Sequence, residues 1–403
     1  MWFIFGVLIC TLDLDAQIPL SGSIWKDINL YSVPSFRILS KDSVVGLIYE
    51  GGKYRGHKQD VFAYYATPGT LYGNKALDKN LPAIILVHGG GGQAFKDWAI
   101  KWAKKGYAAI ALDLRGNGPD KRHLMNGFAE PGNQTPYFDV NLPLKDQWMY
   151  QGVANVLLAN NLIRSFKEID TSRTAITGIS WGGVITCIAA ALDPRYKAAV
   201  PVYGCGYLGE SGRMKAQLND IPKENKNIWL TQYDPSQYLS AVKMPMLFLN
   251  DAADPYFELS SFMKSYNLVT TEKRLCIKIN LKHSHRAGWS NREIYSFINH
   301  HLRGTPGLPG VSPVIKPGNA IICKLKNPAV AKEVILNYST DALNSGTKRK
   351  WTTVTVKPDR KNHYSSKIPD GASMWYFSVE NFQGLISCSS VSFSPASNKT
   401  IIP

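Results

Sequence analysis

The chain has 403 residues, room for two or three domains, and 44% of them are hydrophobic against 19% charged, which excludes a wholly disordered chain. Its net charge of +16 comes from scattered Lys and Arg, with no zinc-finger, RNP or basic-zipper pattern, so nucleic-acid binding is not expected. No apolar run reaches the roughly 18–20 residues that span a bilayer, so no integral membrane segment is expected.

The first element is an address. Residues 2–12 read WFIFGVLICTL, too short to cross a membrane, and Ala16 stands just before Gln17. This pattern reads as a secretory signal peptide over residues 1–16, although it lacks a basic leading segment. The competing reading is a buried N-terminal strand.

Residues 17–303 then alternate strand and helix signals. Val61–Ala66, Ala83–Val87 and Tyr107–Leu112 read as strands, as do Thr174–Thr177, Ala198–Val202, Met246–Leu249 and Leu275–Ile279. Several are apolar throughout, as in strands covered on both faces. Helical spacing occupies Phe95–Lys105, Gln147–Ser165 and Glu293–Leu302. Repeated βα units predict a mostly parallel sheet with helices on both faces and function at the carboxyl ends of the strands.

Residues 304–312, rich in Gly and Pro, read as a linker. Beyond them, short strands at Ala320–Leu325, Glu333–Tyr338, Trp351–Val356, Met374–Val379 and Leu385–Phe393 predict a small all-β, Ig-like sandwich over 313–403. Trp375 and Tyr376 are neighbours on one strand and must face opposite sides, which favours packing over a ligand platform. Cys323 and Cys388 both fall in this segment and are candidates for a disulfide.

The strongest chemical signal is Gly178-Ile179-Ser180-Trp181-Gly182-Gly183, between a strand and an apolar helix. That is the setting of a nucleophile elbow, with Ser180 exposed on a sharp turn at a helix N-terminus. His88-Gly89-Gly90-Gly91-Gly92 follows another strand and supplies a loop of bare backbone. An oxyanion hole needs one N–H from the residue after the nucleophile and one from such a loop, which points to Trp181 and a residue of this loop, with Gly90 preferred. Gly89-x-Gly91-x-x-Ala94, with Asp113 ending the next strand, meets a loose dinucleotide pattern but leaves Ser180 unexplained. His88 reads as a structural hydrogen-bonder.

A triad in the order Ser, acid, His requires two more residues. Asp251 and Asp254 follow the strand at Met246–Leu249. Asp254 lies farther out, before Pro255, and is preferred; Asp251 is expected to cap the strand. His283 and His285 follow the next strand. His285 is preferred as the base because it lies farther beyond the strand end, with His283 left as a nearby or substrate residue. No third ligand stands at metal-site spacing, so no metal is expected. The stretch from Arg115 to Trp148, with Phe128, Tyr137 and Phe138, reads as a substrate-shaping loop.

Taken together, VHGGGG at 87–92, WAKKGYAAIALDLRG at 102–116, GISWGG at 178–183, NDAADPYF at 250–257 and HSHRAGW at 283–289 resemble the α/β-hydrolase superfamily. Within it the chain resembles the acetylxylan-esterase and dienelactone-hydrolase-like group of exported bacterial hydrolases. The resemblance covers roughly residues 30–302. It implies a serine ester hydrolase without cofactor, with Ser180 as nucleophile, Asp254 and His285 completing the triad, and an acetylated oligo- or polysaccharide as substrate. Dienelactone hydrolases proper use a cysteine nucleophile, so the serine argues against that activity. A serine peptidase or amidase of the prolyl-oligopeptidase-like group, and a carbohydrate-binding protein on a hydrolase fold, are the alternatives.

Overall fold

The structure, a computed structural model, describes residues 24–128, 136–312, 314–326, 330–360 and 362–394. The expected signal peptide lies outside them.

Two antiparallel hairpin strands, β1 (Phe36–Ser40) and β2 (Val45–Glu50), lead into β3 (Asp60–Ala66) and the short helix α1 (Pro68–Tyr72). Then follow β4 (Leu81–Val87), α2 (Lys96–Ala103), β5 (Ala108–Leu112), α3 (Trp148–Arg164), β6 (Ile169–Ile179), α4 (Trp181–Leu192) and β7 (Ala198–Val202). Helices α5 (Gly212–Asn219) and α6 (Lys223–Tyr233) precede β8 (Met246–Asp251), α7 (Leu259–Leu268), β9 (Lys273–Lys278), α8 (His285–Trp289) and α9 (Arg292–Arg303). The sheet order β1-β2-β3-β5-β4-β6-β7-β8-β9 is antiparallel up to the β3–β5 pair and parallel from β5 to β9. This is an α/β-hydrolase-like fold with a mixed, mostly parallel sheet.

Every residue of β4, β5 and β7 is buried, as their unbroken apolar runs require for strands covered on both faces. Parallel register pairs Val87 with Gly178, Ile179 with Val202 and Asp251 with Lys278. The carboxyl ends of these strands therefore form one rim, and the loops carrying Gly89, Ser180, Asp254 and His283 leave from it.

The C-terminal residues are β-rich, as expected, in strands β10 (Ala320–Lys324), β11 (Ala331–Ser339), β12 (Thr352–Thr355), β13 (Pro358–Arg360), β14 (His363–Lys367), β15 (Met374–Asn381), β16 (Ile386–Cys388) and β17 (Ser392–Phe393). Two layers pack face to face, β10 against β11 and β15, as in the sandwich expected, but they are joined to the main sheet rather than separate from it. Cys388 of β16 pairs with Leu275 of β9, and the main sheet runs on through β15, β11 and β12. Only β10, β14 and β13 make a second, three-stranded sheet. The physical reason is that β9 would otherwise be an edge, and an open edge of paired-strand geometry recruits a further strand. The composition change at the Gly/Pro segment marked a new pattern but carried no sign of this edge.

Alternation along β15 divides its side chains between two cores. Met374 and Tyr376 join the main core, while Trp375, Phe377 and Val379 pack with Ile321 and Cys323. Trp375 and Tyr376 are both buried, which favours packing for this pair. Cys323 and Cys388 fall into the two different cores and are free thiols, so the disulfide considered from the sequence is absent. Burial pushes both thiols up to about 12.

Glu293 of α9 fastens the junction. Its side chain is 1% exposed, one oxygen pairs with Lys278 Nζ at 2.9 Å, and the other accepts the Ile386 N–H at 3.1 Å. Glu293→Ala leaves both partners uncompensated and is expected to cost about 3 kcal/mol in a denaturant melt. Truncation after Arg303 exposes the β9 edge and is expected to lower the melting temperature and promote association, seen by light scattering. An unchanged melt in both variants would show that the junction contributes nothing to stability.

Candidate active site

The β6–α4 turn sets the site. Ser180 has φ 57° and ψ −117°, outside the broad allowed regions for a residue with a Cβ. Its N–H donates to the Val202 carbonyl at 2.9 Å, which holds the turn against β7. A Cβ at Gly182 would lie 2.2 Å from the Val87 oxygen and 2.5 Å from the His88 oxygen, so only glycine lets α4 approach the end of β4 this closely. Helix α4 begins at Trp181, whose N–H belongs to the first turn and has no intrahelical acceptor. The helix dipole favours negative charge at the same place.

Ser180 Oγ lies 3.0 Å from His283 Nε2, and His283 Nδ1 lies 2.6 Å from Asp254 Oδ2. The Asp254 side chain is fully buried, and its other oxygen accepts the Tyr256 and Phe257 N–H groups, each at 2.9 Å. That carboxylate accepts from Nδ1–H, which leaves the Nε2 lone pair facing the Ser180 hydroxyl. The imidazole is held flat against Tyr203, with ring centroids 4.3 Å apart and planes 29° apart. Tyr203 is anchored by its hydroxyl, which donates to the Lys282 carbonyl at 2.9 Å.

The histidine expected to complete this chain was His285; the structure places His283 there instead. The loop after β9 does not extend steadily outward. It turns into α8 at His285, and Ser284 caps that helix by accepting the Ala287 N–H at 3.2 Å. Once the chain is helical, residue 285 points away from Ser180 and toward the glycine loop. The Ser-x-x-Ala pattern at 284–287 was the readable signal, since a serine cap puts the next residue inside a helix.

His285 Nε2 accepts the Gly89 N–H at 3.0 Å. Burial, followed by the charges of His88 and His283, pushes its pKa from 6.5 to about 4. His88, 2% exposed, accepts the Leu114 N–H on Nε2 at 2.9 Å, so its proton sits on Nδ1, 2.7 Å from the Gly89 carbonyl. The loop lies directly over the elbow: a Cβ at Gly89 would be 3.0 Å from the Ser180 Cβ, and one at Gly90 would be 2.9 Å from Trp181 Cδ1.

Asp251 does not enter the chain of hydrogen bonds to Ser180. It accepts Ala253 N–H at 3.0 Å and Leu281 N–H at 2.7 Å, tying the loop that carries Asp254 to the loop that carries His283. Burial raises its pKa despite these donors.

An aromatic wall stands beside Trp181. Tyr137 stacks on it at 4.5 Å, Phe138 meets it edge-on at 5.4 Å, and Trp148 lies 5.9 Å away. Trp229 of α6 packs on Phe138 at 5.0 Å and donates from Nε1 to the Tyr137 carbonyl at 2.7 Å. Tyr137 and Phe138 come from the stretch expected to shape the substrate site. Trp229 was missed, because nothing local in its polar helix distinguishes it from a core residue. Among the described residues, no cluster of three or more metal-ligating side chains occurs, and no helix is long and apolar enough to cross a membrane.

The family model for acetyl xylan esterase (AXE1) matches residues 47–301. An acetyl xylan esterase from Paenibacillus sp. R4 superposes with a TM-score of 0.54 at 22% identity, covering 67% of this chain and 89% of its own. Acetyl xylan esterase 1 from Thermoanaerobacterium gives 0.53 at 18% identity, covering 66% and 87%. At these identities the likeness is one of fold. Among curated proteins, one from Salmonella typhi, provisionally named carboxymethylenebutenolidase, is 31% identical over 150 residues, 36% of this chain and 48% of its own length. One from Methylorubrum extorquens with the same provisional name is 29% identical over 175 residues, 43% and 51%. The chain thus spans about half the length of the curated relatives it matches.

The lowered His285 pKa has a consequence for stability. The unfolded chain takes up this proton near pH 6.5, whereas the folded chain resists it down to about 4, with His88 and His283 facing the ring. Unfolded protein therefore binds more protons in that window, and stability falls as the pH drops from 6.5 to about 4. Melting curves of the wild type and His285→Gln across this range are expected to show a shallower acid slope for the variant. Parallel slopes would contradict the assignment.

Proposed function

The chain belongs to the acetyl xylan esterase (AXE1) family, and from that premise we propose that it is a serine carboxylic ester hydrolase acting through Ser180, His283 and Asp254. The observation that carries this reading is the unbroken Ser180–His283–Asp254 chain, with contacts of 3.0 and 2.6 Å. In this reading His283 Nε2 takes the Ser180 proton as Oγ attacks the ester carbonyl. The N–H groups of Trp181 and Gly90 receive the developing oxyanion. The imidazolium, stabilised by Asp254, returns its proton to the leaving alcohol as the carbonyl–alkoxy bond breaks. Water, deprotonated by the same imidazole, then attacks the acyl-enzyme; as the acyl–Oγ bond breaks, the imidazolium returns that proton to Ser180 Oγ and the carboxylic acid leaves.

The proposed substrate is an acetylated oligo- or polysaccharide. Family membership supports it, as does Tyr137, the partly exposed member of the aromatic wall, which lies on Trp181 beside the glycine loop and offers a sugar an aromatic contact. The apolar stretch of residues 2–12 supports export, to the periplasm, cell surface or medium of a bacterium.

Short-chain esters, acetylated xylo-oligosaccharides and peptide amides are compared by kcat/KM. Ester turnover is expected to dominate; faster amide turnover would replace the esterase with an amidase. Ser180→Ala and His283→Ala are each expected to lower kcat by about 10⁴-fold or more, and Asp254→Asn by about 10⁴-fold. A fluorophosphonate is expected to label Ser180, and labelling of another residue would redirect the assignment. Near-wild-type turnover by His283→Ala would remove it as the base.

A further inference from the structure

One histidine of the site takes no part in the relay to Ser180, yet it is half-buried beside it. His285 sits at the first position of α8, its ring 4.9 Å from Phe95 and 6.3 Å from His88. Its Nε2 accepts the N–H of Gly89, so the ring is neutral and works as an acceptor.

The effect on the neighbouring peptide follows from amide geometry. The Gly89 carbonyl accepts Gly92 N–H at 3.0 Å and His88 Nδ1–H at 2.7 Å. A trans peptide is planar, so the N–H of Gly90 points opposite to the carbonyl of Gly89. With that carbonyl held by two donors from its own loop, the Gly90 N–H is turned the other way, and the loop as a whole still has to be held against the Ser180 turn. The bond from Gly89 N–H to His285 fixes the other end of the same residue. Gly89 has two anchored peptide planes and no side chain of its own to restrain it; His285 supplies the restraint from another loop.

We propose that His285 is a positioning residue for the oxyanion hole: by accepting the Gly89 N–H it ties the glycine loop to the loop that carries His283, and so aims the Gly90 N–H at the carbonyl attacked by Ser180. This rests on the esterase reading above. It also sorts the two neighbouring amides. Gly89 N–H is occupied by the imidazole and is not an oxyanion donor, whereas Gly90 N–H is. Because His283 and His285 are two residues apart, base and oxyanion hole are held in register by one short segment. The low pKa set by burial keeps His285 an acceptor through the neutral range, since a protonated ring would present a donor to the Gly89 N–H.

The test compares His285→Leu, which keeps bulk without an acceptor, with His285→Gln, which restores an acceptor oxygen. p-Nitrophenyl acetate turnover gives kcat and KM, and hydrogen–deuterium exchange reads the amides of residues 88–95. For His285→Leu, kcat is expected to fall about 10²-fold with KM within about threefold, the size of losing one oxyanion donor. Exchange over 88–95 is expected to accelerate while the helix at 181–192 stays protected. His285→Gln is expected to recover at least about tenfold of the lost kcat and much of the protection. Unchanged exchange in a folded His285→Leu would show that the imidazole does not hold the loop and overturns the proposal. Faster exchange with unchanged kcat overturns the oxyanion role. If His285→Leu does not fold, His285→Gln decides by the same two readouts against wild type. A wild type without ester turnover defeats the esterase reading, and the oxyanion role with it; the exchange data then still decide whether His285 holds the loop.

Discussion

The close approach of α4 to the end of β4 is the constraint on which the site rests. The Gly182 position stands so near the Val87 and His88 carbonyls that no larger residue fits. That contact brings the glycine loop and the serine turn together at the cost of a left-handed Ser180, a conformation worth roughly 1–3 kcal/mol of strain. The strain is held by the parallel register on both sides of β6 and by the Ser180 N–H on Val202. An imidazole, with a carboxylate behind it, can line up on one hydroxyl because the strand ends beneath them are aligned.

Above that rim, each loop is fastened to its neighbour. Asp251 joins the Asp254 loop to the His283 loop, and His88 joins the glycine loop to the strand end at Leu114. Tyr203 underlies the His283 ring and is itself pinned by its hydroxyl to Lys282. These are buried or half-buried polar contacts, where an unmade hydrogen bond is expensive. This cross-tying holds together loops that are mostly outside regular structure.

Much of this was legible in the sequence, for identifiable reasons. Apolar strands covered on both faces announce themselves, and the strand–Gly-x-Ser-x-Gly–helix order marks out Ser180 by sequence alone. Asp254 was preferred over Asp251 on its place in the loop, and the hydrogen bonds follow that order. His283 was passed over because distance beyond a strand end is a poor guide where a helix starts seven residues after it. The sheet junction was illegible for a different reason. One bridge between Cys388 and Leu275, with Glu293 on Ile386, is a long-range pairing, and strand patterns read locally do not say which edge a strand will join.

That junction has a consequence for how the chain is made. Strand β9 is complete well before its partner β16, and roughly 110 residues separate them along the chain. At the roughly 5–20 residues per second of synthesis, the nascent hydrolase unit spends on the order of 5–20 seconds with its sheet open at the side nearest the Asp254 and His283 loops. Pairing so distant in sequence is also slow to form once the residues are available. During that interval Lys278, a charged residue at the end of the open strand, is the kind of side chain that discourages strand addition by other molecules. In the folded chain the same lysine pairs with Glu293, and Glu293 in turn accepts the Ile386 N–H of the strand that closes the edge.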